Sequence, residues 1–145
     1  MLTSDAKRKL SDLDRDLIEQ RLNSFQVARQ KGDMASIARL LAEDCAFRGA
    51  TWVGQMAAVR RQGRAACLEL FQQQHTLVEC LEAHLTDLAI DASEAAVCCK
   101  VRLRSRGAGR VDEIAICSYI RFKDSEIIEI DELADNEALA RLFRD

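Results

Sequence analysis

Residues 111–133 read VDEIAICSYIRFKDSEIIEIDEL, and this stretch decides the fold. It reads as two strands joined by a turn at Lys123, Asp124, Ser125 and Glu126. Along the first arm Ile114, Ile116, Ile120 and Phe122 fall on one face, and Ala115, Cys117 and Tyr119 on the other. A period of two sends successive side chains to opposite sides of a sheet. Apolar groups on both sides predict a central strand covered at least in part on each face, with the preceding helices as one cover.

Working back from this hairpin, residues 76–91 and 95–106 predict two more strands. They turn at Asp91-Ala92-Ser93-Glu94, and the second leads into the hairpin through Gly107-Ala108-Gly109. Alternation over 76–91 is imperfect, which predicts a bulge or bend. Lys100, Arg102, Arg104 and Arg106 alternate on one strand face. They read as the solvated face of an edge strand, where positive charge discourages strand-to-strand pairing. A track for anions or nucleic acid is the competing reading.

Further upstream the period changes to that of helices. A first helix is expected from Ser11 or Asp12 to Gly32, with Leu13, Leu17, Ile18, Phe25 and Ala28 as its apolar stripe. Residues 1–10 are expected to be a frayed or helical arm. Asp33 caps a second helix that turns Ile37, Leu40 and Leu41 inward. Residues 45–48 suggest a short strand. Residues 49–63 carry little pattern, with two or three turns of helix around 55–61 as one option and Trp52 and Met56 as either a lid or core. A third helix over 64–74 buries Ala66, Cys67, Leu70 and Phe71, and 136–143 suits a short last helix. Helices followed by strands predict an α+β fold, three N-terminal helices packed on one face of a mostly antiparallel sheet.

The chain has 145 residues, enough for one domain spanning 1–145 with a sizeable core. Its composition, 48% hydrophobic and 31% charged, is that of a folded globular protein. A net charge of -3 argues against a general nucleic-acid binder. No apolar run approaches the roughly 20 residues of a membrane span. The first residues, MLTSDAKRKLSDLDRD, lack the apolar centre of a signal peptide, so a cytoplasmic location without membrane partners is expected. The six cysteines, Cys45, Cys67, Cys80, Cys98, Cys99 and Cys117, are therefore expected to be free thiols, mostly buried. With no CxxC and only His75 and His84 to join them, no metal site is expected. Cys98 and Cys99, adjacent in a strand, should face opposite sides. Proline is absent, so turns fall to Gly, Asp and Ser.

Five segments together resemble the NTF2-like superfamily, the SnoaL-like or ketosteroid-isomerase-like fold. Residues 25–33, FQVARQKGD, are similar to its first helix ending in Gly-Asp. Residues 37–47, IARLLAEDCAF, are similar to its second helix, acidic turn and first strand. Residues 63–71, GRAACLELF, resemble the start of its third helix, and 84–96, HLTDLAIDASEAA, a strand-turn-strand segment. Residues 122–135 resemble its final hairpin. The resemblance implies a cone of helices and curved sheet around a mostly apolar pocket, and a homodimer formed through the outer sheet face. Such a fold hosts enzymes and pure binding proteins alike.

The family's chemistry transfers incompletely. Its steroid isomerases need a carboxylate base, a tyrosine and a protonated acid, and those positions fall on Gly49, Phe25 and Ser118. All three groups are missing, so that activity is not expected. Its dehydratase-like branch uses a His paired with an Asp. His84 resembles the His, while the Asp position holds Gln30, which can orient an imidazole but not neutralise its charge. Limonene-epoxide-hydrolase-like members use an Asp-Arg-Asp set; Asp87, Arg102, Arg104, Arg121 and Asp131 supply the residue types without a diagnostic spacing. Cys45, Cys67 and Cys117 read as small apolar fillers rather than nucleophiles.

The resulting expectation is a homodimer without cofactor that binds a small apolar or amphipathic molecule in the cone. Phe25, Gln30, Phe47, Trp52, Ile116, Ser118 and Ile120 would line the pocket. The enzymatic alternative is a cofactor-independent lyase or isomerase with His84 as base and Gln30 and Ser118 as polar helpers. A protein-interaction module with a closed pocket is the third reading.

Overall fold

The computed structural model describes residues 4–50 and 58–144. Trp52, expected to line the pocket, and Met56, read with it as either lid or core, lie outside these residues. The elements run α1 (Ser4–Lys31), α2 (Met34–Leu40), β1 (Leu41–Ala50), β2 (Ala58–Gln62), α3 (Arg64–Leu77), β3 (Val78–Asp91), β4 (Glu94–Ser105), β5 (Val111–Lys123), β6 (Glu126–Ala134) and α4 (Asn136–Leu142). The strands form one curved sheet in the order β2-β1-β6-β5-β4-β3. All neighbours pair antiparallel except β1 and β6, which are parallel. The α+β expectation holds, and β5 lies inside the sheet between β4 and β6.

Local chemistry explains most boundaries. Gly32, at φ +70, ends α1 in the left-handed region that favours glycine. Asp33 caps α2, its Oδ1 accepting from the Ser36 backbone N–H at 3.1 Å. Its two hydrogen bonds to Ser36, side chain first and backbone second, hold its carboxyl below the usual aspartate range. Asp135 caps α4, accepting from Glu137 N and Ala138 N. Asp124 and Ser125 both have positive φ, as a two-residue hairpin turn between β5 and β6 requires.

Four expectations need correction. Residues 58–62 are a strand paired antiparallel with β1, not helix, because Arg60 and Arg61 take register opposite Arg48 and Phe47. β4 is not an edge: β3 covers it, and its outward row meets acids rather than solvent alone. Arg104 Nη1 lies 3.3 Å from Glu79 and Lys100 Nζ 3.9 Å from Glu113. The helices cover one face only, so Ala115, Cys117 and Tyr119 are exposed on the other face of the single chain. Cys117 is therefore no core filler. Its register partner is Cys98, with a Cα–Cα distance of 4.1 Å, so the two sulfurs meet as a cross-strand pair on the open face. Cys45, Cys67 and Cys99 are free and buried.

The covered face carries two apolar clusters. Ile18, Leu22, Phe25 and Ala28 of α1 pack with Leu70 and Phe71 of α3, Phe47 of β1 and Ile120 and Phe122 of β5. Farther along the same face, Ala138, Leu139 and Leu142 of α4 pack on Val101, Leu103, Ile114 and Ile116. The bulges expected in β3 fall between Cys80 and Glu82 and between Leu85 and Asp87.

A Cβ on Gly32 would collide with the His75 ring, and alanine tolerates the positive φ poorly. Gly32→Ala should lower the free energy of unfolding by about 1–2 kcal/mol, measured by urea denaturation; an unchanged midpoint would contradict this account of the α1 terminus.

Candidate functional site

The most unusual group of side chains sits where the two apolar clusters meet. Phe25, Ala28 and Arg29 are spaced i, i+3 and i+4 on α1, so the stripe that buries Phe25 also carries Arg29 inward. Its guanidinium meets Glu132 of β6, with Nη1 to Oε1 at 2.6 Å and Nη2 to Oε2 at 3.3 Å. Nη2 also donates to Gln74 Oε1 of α3 at 3.0 Å. Ser118 Oγ of β5 lies 3.4 Å from Glu132 Oε1. The guanidinium carbon stands 4.8 Å from the centre of the Phe71 ring and 5.7 Å from that of Phe25. Glu132 is 2% exposed and Gln74 3%. One ion pair thus ties the first helix, the third helix and two strands together, with the Glu132 side chain almost wholly buried and that of Arg29 mostly so.

A bulge aims Glu132 inward. Arg121 pairs with Glu129 but Phe122 pairs with Ile127, which leaves Ile128 as an extra residue. The shift turns Ile130 and Glu132 to the covered face and Asp131 to the open one. There Asp131 takes Arg48 Nε at 2.7 Å. Gly49, where the steroid-isomerase base was expected, stands opposite Glu132, and a Cβ there would press against the Glu132 backbone oxygen. The carboxylate missing at Gly49 is thus present on the neighbouring strand.

A cavity of about 60 Å³ adjoins this cluster, walled by Arg29, Gln74, Glu132, His75, Cys80 and Ile116 among others. A larger groove of about 640 Å³ runs between α1 and the β3 edge. Gln26, Gln30 and Cys99 belong to both walls, so groove and cavity are contiguous. Two exposed apolar side chains, Val27 and Leu85, line the groove. Burial raises the Cys99 and Cys80 thiols above the ordinary range, so neither is an activated nucleophile. The neighbouring Cys67 and burial do the same for Cys45. Among the described residues no group of three or more His, Cys, Asp or Glu side chains is placed to hold a metal.

The expected site residues separate into three places. Gln30 lines groove and cavity, and Ile116 the cavity. Ser118 touches the cluster through Glu132. Phe25, Phe47 and Ile120 are buried in the apolar core, Phe25 and Phe47 edge-on to Phe71 at 5.8 and 5.7 Å. His84 lines the groove from an exposed position, its side chain 64% accessible. Its Nε2 is 2.8 Å from Glu82 Oε1, so a carboxylate does partner it, but from its own strand and not from position 30. The Asp-Arg-Asp types do not converge: Asp131 pairs with Arg48, Arg121 with Glu129 and Glu94, and Asp87 and Arg102 are exposed. Sequence reasoning missed Arg29, Gln74 and Glu132. The i+4 spacing from Phe25 was a usable signal for Arg29; the Ile128 bulge hid Glu132.

The SnoaL-like domain family matches residues 22–130, and the chain belongs to that family, within the NTF2-like superfamily. Among solved structures, a candidate isomerase from Bacillus subtilis superposes with a TM-score of 0.80 at 14% identity, covering 90% of this chain and 94% of that one. An LEH-like epoxide hydrolase from M. tuberculosis gives 0.70 at 16% identity, covering 89% and 91%. A protein with a ketosteroid isomerase-like fold from Catenulispora acidiphila DSM 44928, in complex with trimethylamine, gives 0.72 at 11% identity, covering 84% and 90%. At these identities the likeness is one of fold. No curated protein matches the chain.

Removing one member of a buried ion pair strands the other charge. Arg29→Met and Glu132→Leu should each cost about 3–5 kcal/mol of stability, and the double variant clearly less than their sum. Chemical denaturation of the four proteins checks this; additive losses would show that the pair is not coupled.

Proposed function

We propose that this SnoaL-like chain is a single-domain binding protein for a small apolar or amphipathic molecule. The ligand lies in the α1–β3 groove with one end toward the Arg29–Glu132–Gln74 cluster. The observation that carries this reading is the contiguity of the groove, about 640 Å³, with the polar cavity at its inner end. Its size falls within the range of small-ligand sites, and a few fixed polar groups in apolar walls are what such sites offer. An open groove of this volume weighs against the module with a closed pocket. Native mass spectrometry of freshly purified protein, with a denatured control, tests the reading. A reproducible extra mass released by denaturation is expected. An unliganded protein that also fails to bind apolar dyes would contradict it.

A second reading is favoured by one contact. The Glu82 carboxylate beside His84 supplies the negative partner that Gln30 lacks, as a cofactor-independent lyase or isomerase with His84 as base would need. Gln30 shares the groove with His84, while Ser118 stands apart at the Glu132 cluster. His84→Ala should then abolish turnover and leave the unfolding midpoint unchanged; retained turnover would remove His84 from the chemistry.

The same proposal makes the protein a cytoplasmic homodimer joined through the open sheet face. Leu133 is 75% exposed there, and Tyr119 is also accessible. Covering such side chains is what an interface does. No described helix is long and apolar enough to cross a membrane. Sedimentation should give a dimer for the native chain and a monomer for Leu133→Arg; a native monomer would contradict the assembly.

A further inference from the structure

Gln74 is the one buried side chain in the cavity wall whose hydrogen bonding is left incomplete in a way that points to a ligand. Its amide orientation is fixed by chemistry. Arg29 can only donate, so the atom 3.0 Å from Nη2 must be the Gln74 oxygen. The amide nitrogen is then left over, and it is fully buried with no hydrogen-bond partner among the described residues. A stranded buried donor costs about 1–3 kcal/mol. Native proteins rarely leave one without a purpose or a bound group. The cavity beside it, at about 60 Å³, has room for about two waters or one small oxygen-bearing group.

Charge restricts which oxygen fits. Arg29 is the only lysine or arginine among the described residues of that wall, and Glu132 already engages it. An anionic ligand end would meet the Glu132 carboxylate with its own charge uncompensated. An uncharged acceptor such as a ketone, aldehyde or hydroxyl oxygen takes the Gln74 N–H at no such cost.

We propose that Gln74 is a specificity-determining residue, its side-chain N–H donating to an uncharged oxygen on the inner end of the ligand. It thereby selects carbonyl- or hydroxyl-bearing molecules over hydrocarbons of the same shape, while the Glu132 charge disfavours carboxylates. This rests on the reading of the groove as a ligand site. The N–H reaches no acceptor among the described residues, so the ligand oxygen, or water in its absence, completes the cluster.

The test compares three probes of one shape on the full chain: 2-acetylnaphthalene, 2-ethylnaphthalene and 2-naphthoate. The methyl ketone should bind about tenfold more tightly than either of the others, the scale of one hydrogen bond to an otherwise stranded donor. Its bound carbonyl stretch should lie at lower frequency than in an alkane. In Gln74→Leu the preference for the ketone over 2-ethylnaphthalene should vanish and the stretch return toward the alkane value, while 2-naphthoate stays disfavoured because Glu132 remains. Equal affinities in the native protein, or a preference and stretch indifferent to Gln74→Leu, would overturn the assignment while leaving the groove as a ligand site. Failure of all three probes to bind would overturn the groove reading and this assignment with it. Should Gln74→Leu not fold, the native affinity ratio and an alkane-like or shifted stretch decide the question alone.

Discussion

The buried ion pair between Arg29 and Glu132 is the constraint on which the rest of the structure depends. Charges in an apolar interior are tolerable only when paired and hydrogen-bonded. Satisfying these two therefore fixes where the last turn of α1 sits, which way β6 faces, and how close α3 approaches through Gln74. The pair also stands between the apolar cluster under α1 and α3 and the one under α4. A wholly apolar junction would fill with side chains. A polar one leaves space, and the small cavity is found beside it.

The consequences reach the sheet. For Glu132 to face inward, β6 must spend one residue on a bulge, and the outward row then presents Glu129, Asp131 and Leu133. Glu129 and Asp131 find Arg48 and Arg121 across neighbouring strands, while Leu133 stays exposed among the described residues. The inner ion pair and the exposed apolar group on the outer face thus arise from one register choice. On the other side of the sheet, β3 is an edge strand with two irregularities, and it forms the far wall of the groove. An edge that departs from regular pairing leaves room between helix and strand where a regular one would close it.

Much of this was legible in the sequence. The alternation in residues 111–133 identified β5, the stripe from Ile18 to Ala28 identified the buried face of α1, and the Gly32-Asp33 boundary fell where helix chemistry placed it. What was not legible depended on pairing at long range. The inward face of β6 is set by a single extra residue, Ile128, which no periodicity reveals in so short a strand. Residues 58–62 look helical until β1 lies beside them. Cys98 and Cys117 are unremarkable cysteines until the β4–β5 register sets them opposite each other. The site suffered most. Charged residues were read as surface, and the family's catalytic positions were searched for side chains that this chain carries elsewhere.

The central claim is that apolar ligands enter between α1 and β3 and come to rest beside the ion pair. Methyl-resolved NMR of the native protein during titration with 2-acetylnaphthalene tests it most directly. The account predicts progressive shifts at Val27, Leu85, Leu88 and Val97, which line the groove, with Leu133 on the outer face unaffected. Shifts confined to Leu133 and its neighbours, with the groove methyls silent, would contradict it.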